Sequence, residues 1–144
     1  MTDVVIDSLH ESEIAQAVAL WEACGLTRPW NEPRADAALA LSGPSSTILA
    51  ARRDGALVGS TIVGHDGHRG WVYYMSVRPG LQGRGIGTLL MRAAEDWLRQ
   101  RGIPKLNLMV RGDNAQARRF YETLGYSLND VVVLARVIDG RGDG

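Results

Sequence analysis

Ten residues, Arg78 to Gly87, constrain this chain more than any others: four are glycine, one is proline, and apolar stretches flank them on both sides. An element interior does not tolerate that density, because each glycine there costs about 0.5–1 kcal/mol relative to alanine. The segment is therefore a loop. Trp71–Val77 before it is rich in aromatic and β-branched residues, a strand signature. After it a long helix is expected to about Arg101, with Gly102 as its stop and Ile86, Leu89, Leu90, Ala93, Trp97 and Leu98 in one stripe. A glycine-rich turn from strand to helix brings backbone N–H groups and the positive end of a helix dipole to one place, an anion site. The dipole alone contributes about 0.3–1 kcal/mol, so several aligned N–H groups must carry the affinity. Arg78 and Arg84 flank the loop with mobile charge, and a pyrophosphate suits it.

The chain as a whole has 16 basic and 16 acidic side chains, which hides a cationic middle. Residues 78–119 hold Arg78, Arg84, Arg92, Arg99, Arg101, Lys105, Arg111, Arg118 and Arg119 against Glu95, Asp96 and Asp113, a net of +6. A nucleic-acid surface is one reading of that block. Against it, Arg92/Asp96, Glu95/Arg99 and Arg118/Glu122 are spaced to neutralise one another on helices, and no exposed aromatic series offers base stacking. No nucleic-acid partner is expected.

The 144 residues suit one domain, read as 1–140 with a frayed tail at 141–144. One cysteine, Cys24, can form no internal disulfide, which fits a reducing, cytoplasmic setting. No apolar run reaches the ~18–20 residues of a membrane span, and the N-terminus has acids where a signal peptide needs cations, so no membrane partner is expected.

Val4–Ile6 reads as an edge strand. Ile14, Ala17, Val18 and Trp21 follow helical spacing up to Gly25, and a second helix starts near Pro33 and ends before Ser42-Gly43-Pro44. Thr47–Arg52 and Leu57–Val63 are strands joined across Asp54-Gly55, and the polar turn at Asp66-Gly67 leads into Trp71–Val77. Leu106–Val110 is a further strand, Asn114–Leu124 a helix stopped by Gly125, and Tyr126–Val137 one or two final strands. The order is β-α-α-β-β-β-α-β-α-β-β, a mixed α/β fold.

Two common phosphate loops are excluded. There is no Gly-Lys-Ser/Thr for a nucleotide-triphosphate loop, and the spacing Gly83-x-Gly85-x-Gly87 is not the dinucleotide fingerprint, nor do residues 103–107 hold its ribose-binding acid. The pattern Val77-Arg78-Pro79, Gln82-x-x-Gly85-x-Gly87 and a long helix instead resembles motif A of the GCN5-related N-acetyltransferase (GNAT) superfamily. Asn114-x-x-Ala117-Arg118-x-Phe120-Tyr121-Glu122-x-x-Gly125-Tyr126 resembles that family's second motif, in the same order and separation. Arg28-Pro29-Trp30-Asn31 and Gly67-His68-Arg69-Gly70 are similar to the bacterial YpeA-type branch.

The resemblance implies an acyltransferase fold with a splayed central strand pair and acetyl-CoA as donor. It implies a pyrophosphate on the backbone of Gln82, Gly83, Arg84, Gly85, Ile86, Gly87 and Thr88. The pantetheine would lie along Met75, Ser76 and Val77, with contacts from Asn114, Ala117 and Tyr121. A main-chain N–H near Val77 would polarise the thioester, and Tyr121 would protonate the departing CoA thiolate. The same spacing also suits Tyr121 as a plain core aromatic. Arg28, Trp30, Asn31 and Tyr74 are the expected acceptor contacts, for a small-molecule or protein amine, and a homodimer fits the look-alikes. No strand beside the loop carries a carboxylate, so no base is assigned; Glu32, Asp66 and His68 are candidates from nearby loops. His65-Asp66-Gly67-His68 reads as turn chemistry, and no metal is expected. A binding module that holds acetyl-CoA without chemistry is the alternative.

Overall fold

A computed structural model of the chain describes residues 3–140, so the expected frayed tail at 141–144 lies outside the described residues. The described residues fall into two units, one up to Leu108 and one from Met109 onward.

The first unit is a curled sheet with helices on both faces. Its strands are β1 (Val4–Ser8), β2 (Ser46–Arg53), β3 (Ala56–His65), β4 (Gly70–Val77) and the two-residue β5 (Leu106–Asn107), hydrogen-bonded in that order. The β1–β2, β2–β3 and β3–β4 pairs are antiparallel, and β4–β5 is parallel. The β2–β3 hairpin turns on Asp54 (φ 52°) and Gly55 (φ 79°), both left-handed, as a two-residue turn matched to strand twist requires. The helices are α1 (Ile14–Ala23), preceded by a short 3-10 turn at Glu11–Glu13, α2 (Pro33–Ser42) and α3 (Ile86–Arg99).

Strand periodicity sorts the core between the two faces. Ile48, Ala50 and Ile62 meet Ala17, Val18 and Trp21 of α1 and Ala37 and Ala40 of α2, with Tyr74 packed beside them. On the other face α3 sits close enough that glycine is required beneath it. A Cβ at Gly70 would lie 2.3 Å from Leu98 Cδ1, and one at Gly59 would lie 2.9 Å from the Ser76 carbonyl oxygen. The buried side of α3 is Ile86, Leu90, Met91, Ala94 and Leu98. The stripe expected through Leu89, Ala93 and Trp97 is therefore off by part of a turn, and Leu89 is 45% exposed. The loop before the helix sets its rotation, which apolar spacing alone does not fix. Trp97 is instead half-covered by Arg101, whose guanidinium lies 3.6 Å above its ring.

In the second unit, α4 spans Ala115–Thr123. Asn114 caps it by accepting the Ala117 N–H at 3.1 Å, and Gly125 (φ 98°) ends it. The final strands expected over Tyr126–Val137 are not formed: residues 126–138 make no strand. Apolar β-branched content records a preference for a pleated surface, but a strand exists only where a partner supplies the ladder. Leu128, Val131, Val132, Val133, Leu134 and Ile138 are accordingly exposed. The strand expected at Leu106–Val110 is reduced to Leu106–Asn107 for the same reason.

Candidate active site

The site begins where β4 loses one of its neighbours. β4 pairs with β5 only at Gly70–Leu106 and Trp71–Asn107, so from Val72 onward one edge of β4 has no strand beside it among the described residues. Its other edge stays paired to β3 but carries an extra residue, since Ser60 faces Ser76 while Ile62 faces Tyr73. The bulge falls at Tyr74, which adopts φ 53°, an uncommon conformation for an aromatic residue that costs of order 1–3 kcal/mol. Buried polar groups hold it. Thr61 Oγ1 donates to the Tyr73 carbonyl at 3.1 Å, and Ser76 Oγ donates to the Ser60 carbonyl at 3.2 Å. Trp21 Nε1 donates to Ser60 Oγ at 2.9 Å, tying the strand to α1.

Beyond the bulge, the Arg78 N–H donates to the Val58 carbonyl at 2.8 Å, toward β3. Successive strand N–H groups alternate in direction, so the Val77 N–H faces the open edge. The Val77 carbonyl points the same way and accepts from the Cys24 thiol at 3.2 Å and from Gln82 Nε2 at 3.4 Å. Burial raises the Cys24 thiol pKa, so the group stays a neutral donor.

The loop then turns at Gly80 (φ 92°), Gly83 (φ 79°) and Gly85 (φ 85°), and Gly85 is the N-cap of α3. These angles suit glycine and let consecutive amides point outward. Among the described residues, no main-chain N–H from 82 to 88 donates to another protein group; the first amide to do so is Leu89, to the Gly85 carbonyl at 3.1 Å. A row of unspent donors on an exposed loop at a helix N-terminus is what a diphosphate needs. The sequence reading of Arg78 as mobile charge is corrected: its guanidinium is held on the Leu57 carbonyl. Arg84 is exposed at the loop. The helix pairs are Arg92–Glu95 at 2.9 Å, Arg99–Asp96 at 2.8 Å and Arg99–Glu95 at 3.8 Å, so two cations of the block, Arg92 and Arg99, are balanced on α3 itself.

Met75, Ser76, Val77 and residues 82–88 are thus brought together in one unit. The Ser76 hydroxyl is spent on Ser60, which leaves only main chain from that position for a ligand. In the second unit, Ala117, Phe120, Tyr121 and Leu124 are half-buried while Arg118, Arg119, Glu122 and Thr123 are exposed, so α4 has one sheltered face. The Tyr121 ring makes edge contacts with Phe120 (centroids 4.9 Å apart) and Tyr126 (6.1 Å), and burial raises its pKa. It is therefore protonated at neutral pH, as a proton donor must be.

Of the expected acceptor contacts, Arg28 Nη1 donates to the Gly25 and Thr27 carbonyls at 2.9 and 3.1 Å, bracing the loop between α1 and α2. Trp30 and Asn31 lie in that loop, half-buried. Tyr74 stacks on Trp21 with ring centroids 4.3 Å apart and donates its hydroxyl to Asp36 Oδ2 at 2.9 Å. Asp66 accepts the N–H groups of His68 and Arg69 at 2.9 and 2.7 Å, and those bonds hold its carboxyl below the usual range. It shapes the turn. Sequence reasoning missed Asp36. The signal was present, because Asp36 shares the inner stripe of α2 with Ala37, Ala40 and Leu41, where a charge is out of place.

Residues 7–126 match the model of the acetyltransferase (GNAT) family. The chain is 42% identical over 127 residues to an acetyltransferase of Yersinia enterocolitica, covering 88% of this chain and 90% of that one. It is 44% identical over 125 residues to an acetyltransferase of Sodalis glossinidius, covering 87% and 88%. Among solved structures, an aminoglycoside N-acetyltransferase in complex with CoA is similar with a TM-score of 0.82 and 16% identity, covering 95% of this chain and 96% of that one. With the glycine loop, the half-open β4 and matched length from residue 7 to 126, the chain belongs to the GNAT family of acetyltransferases.

Proposed function

We propose that this acetyltransferase moves the acetyl group of acetyl-CoA to a primary amine by direct attack in a ternary complex. The observation that carries the reading is the row of unspent N–H donors at residues 82–88, set at the end of a strand whose next amide, Val77, faces an open edge. The loop holds the pyrophosphate, with Arg84 adding charge. The free edge of β4 at Met75–Val77 takes the amide groups of the pantetheine arm as a missing strand would, and the Asn114 side-chain amide adds a donor. The Val77 N–H donates to the thioester oxygen as negative charge develops there. The amine nitrogen attacks the carbonyl carbon, and the carbon–sulfur bond breaks. Tyr121 donates its hydroxyl proton to the leaving sulfur, and water takes the proton from the new amide nitrogen. Aminoglycoside acetyltransferases share the fold, which favours a small-molecule amine as acceptor.

Release of free CoA thiol from acetyl-CoA, measured across protein N-termini, lysine, amino acids, polyamines and xenobiotic amines, tests this. Amine-dependent release with at least one class is expected. Tight acetyl-CoA binding without release from any class refutes catalysis and leaves a binding module.

A further inference from the structure

Asp36 is a half-buried carboxylate whose negative charge no side chain balances. Among the described residues no cationic group comes within ion-pair distance of it. Two features suit a carboxylate there. It sits in the first turn of α2, where the helix dipole favours a negative charge by about 0.3–1 kcal/mol, and it accepts the Tyr74 hydroxyl. Tyr74 is itself fixed by its stack on Trp21 and by the bulge that turns its backbone to φ 53°. A strained residue thus aims a hydroxyl at one carboxylate oxygen and leaves the other oxygen to a cation from outside. The bulge is also where β4 runs toward Met75–Val77, the stretch assigned above to the donor's arm.

Burial, then the hydrogen bond to Asp36 and its charge, push the Tyr74 hydroxyl up to about 12, so it keeps its proton across the neutral range and goes on donating to Asp36. Asp36 is thereby held in place as a counter-charge for an incoming cation. An amine held against such a charge is kept as ammonium, which has no lone pair with which to attack a thioester. The nitrogen that reacts must be a different one.

Resting on the acetyl-transfer reading, we propose that Asp36 selects the acceptor by holding, as an ammonium, an amino group other than the one acetylated. The substrate class is then aliphatic amines with two or more amino groups. The test compares kcat/KM for a ladder of α,ω-diaminoalkanes, each against the monoamine of the same carbon count, in wild type, Asp36→Asn and Tyr74→Phe. Asn keeps the size and the acceptor for Tyr74, and Phe keeps the ring stack, so both variants are expected to fold. Wild type should favour the best diamine by about tenfold or more, equivalent to ~1.4 kcal/mol. Asp36→Asn should bring that ratio toward one through a higher diamine KM, and Tyr74→Phe should shift it the same way by less. No wild-type preference, or a ratio that Asp36→Asn leaves unchanged, overturns the proposal. If no amine is turned over, the acetyl-transfer reading fails separately. Thermal shifts of the CoA-loaded protein with the diamines then decide: stabilisation lost in Asp36→Asn supports the site, and no wild-type stabilisation overturns it.

Discussion

Replacing Gly59 by alanine tests whether the loop is placed by the packing beneath it. A Cβ at this position lies 2.9 Å from the Ser76 carbonyl oxygen and 3.1 Å from both Ile86 Cγ2 and Leu90 Cδ1. The oxygen belongs to the main chain of a paired strand and cannot rotate aside. Ile86 is the first residue of α3, so relief has to come from lifting the helix end that carries the loop. Overpacking of this kind costs about 1–3 kcal/mol. The lost freedom of glycine in the unfolded chain returns about 0.4–1 kcal/mol, leaving a net loss of about 1–2 kcal/mol. For a chain of this size that lowers Tm by about 3–6 °C. A displaced loop forfeits the equivalent of one charge-assisted hydrogen bond, about tenfold in CoA affinity. Differential scanning fluorimetry and CoA titration calorimetry read both effects. Gly43→Ala serves as control, because a Cβ there meets nothing within 4 Å and its φ is −131°. Wild-type Tm and CoA affinity in Gly59→Ala would refute the claim that α3 is seated on this glycine.

Three further expectations follow. Gly85→Val places a β-branched residue at φ 85°, where a Cβ meets nothing within 4 Å, so backbone strain of about 1–2 kcal/mol per residue should distort the loop; CoA titration should show at least a tenfold weaker complex. Trp21→Phe removes the donor to buried Ser60 and should cost about 1–3 kcal/mol, read as a fall in Tm. Arg52, through paired hydrogen bonds, holds the Glu13 carboxyl at about 2, below its unfolded value. The stability this contributes, about 1 kcal/mol after solvent screening, is complete above the unfolded pKa of about 4.3 and is lost as pH falls toward 2. Glu13→Gln should flatten that part of the Tm–pH curve.

What the sequence made legible was local. The Asp54-Gly55 hairpin, the α2 start at Pro33, the α4 start at about Asn114 and the glycine stops at Gly25, Gly102 and Gly125 each depend on a few neighbouring residues, and the structure has them. The glycine segment was legible as a loop between strand and helix because its composition excludes a regular element. The rest depends on contacts between distant residues. Tyr74 meets Asp36 across 38 positions and Trp21 meets Ser60 across 39, and neither pair is implied by spacing. The bulge that aims Tyr74 arises from register between β3 and β4, and the reach of β5 from where β4 diverges. The strands expected after Gly125 failed for the same reason: the apolar pattern was real, but its partner was not local.

The acid role of Tyr121 is the central chemical claim, and thiol release at saturating acetyl-CoA and amine in Tyr121→Phe tests it most directly. CoA affinity is measured in parallel to show that the variant still folds and binds. The account predicts an unchanged CoA complex and a kcat lower by about a hundredfold, the usual range for loss of a general acid. An intact complex with wild-type kcat contradicts it and returns Tyr121 to a core aromatic.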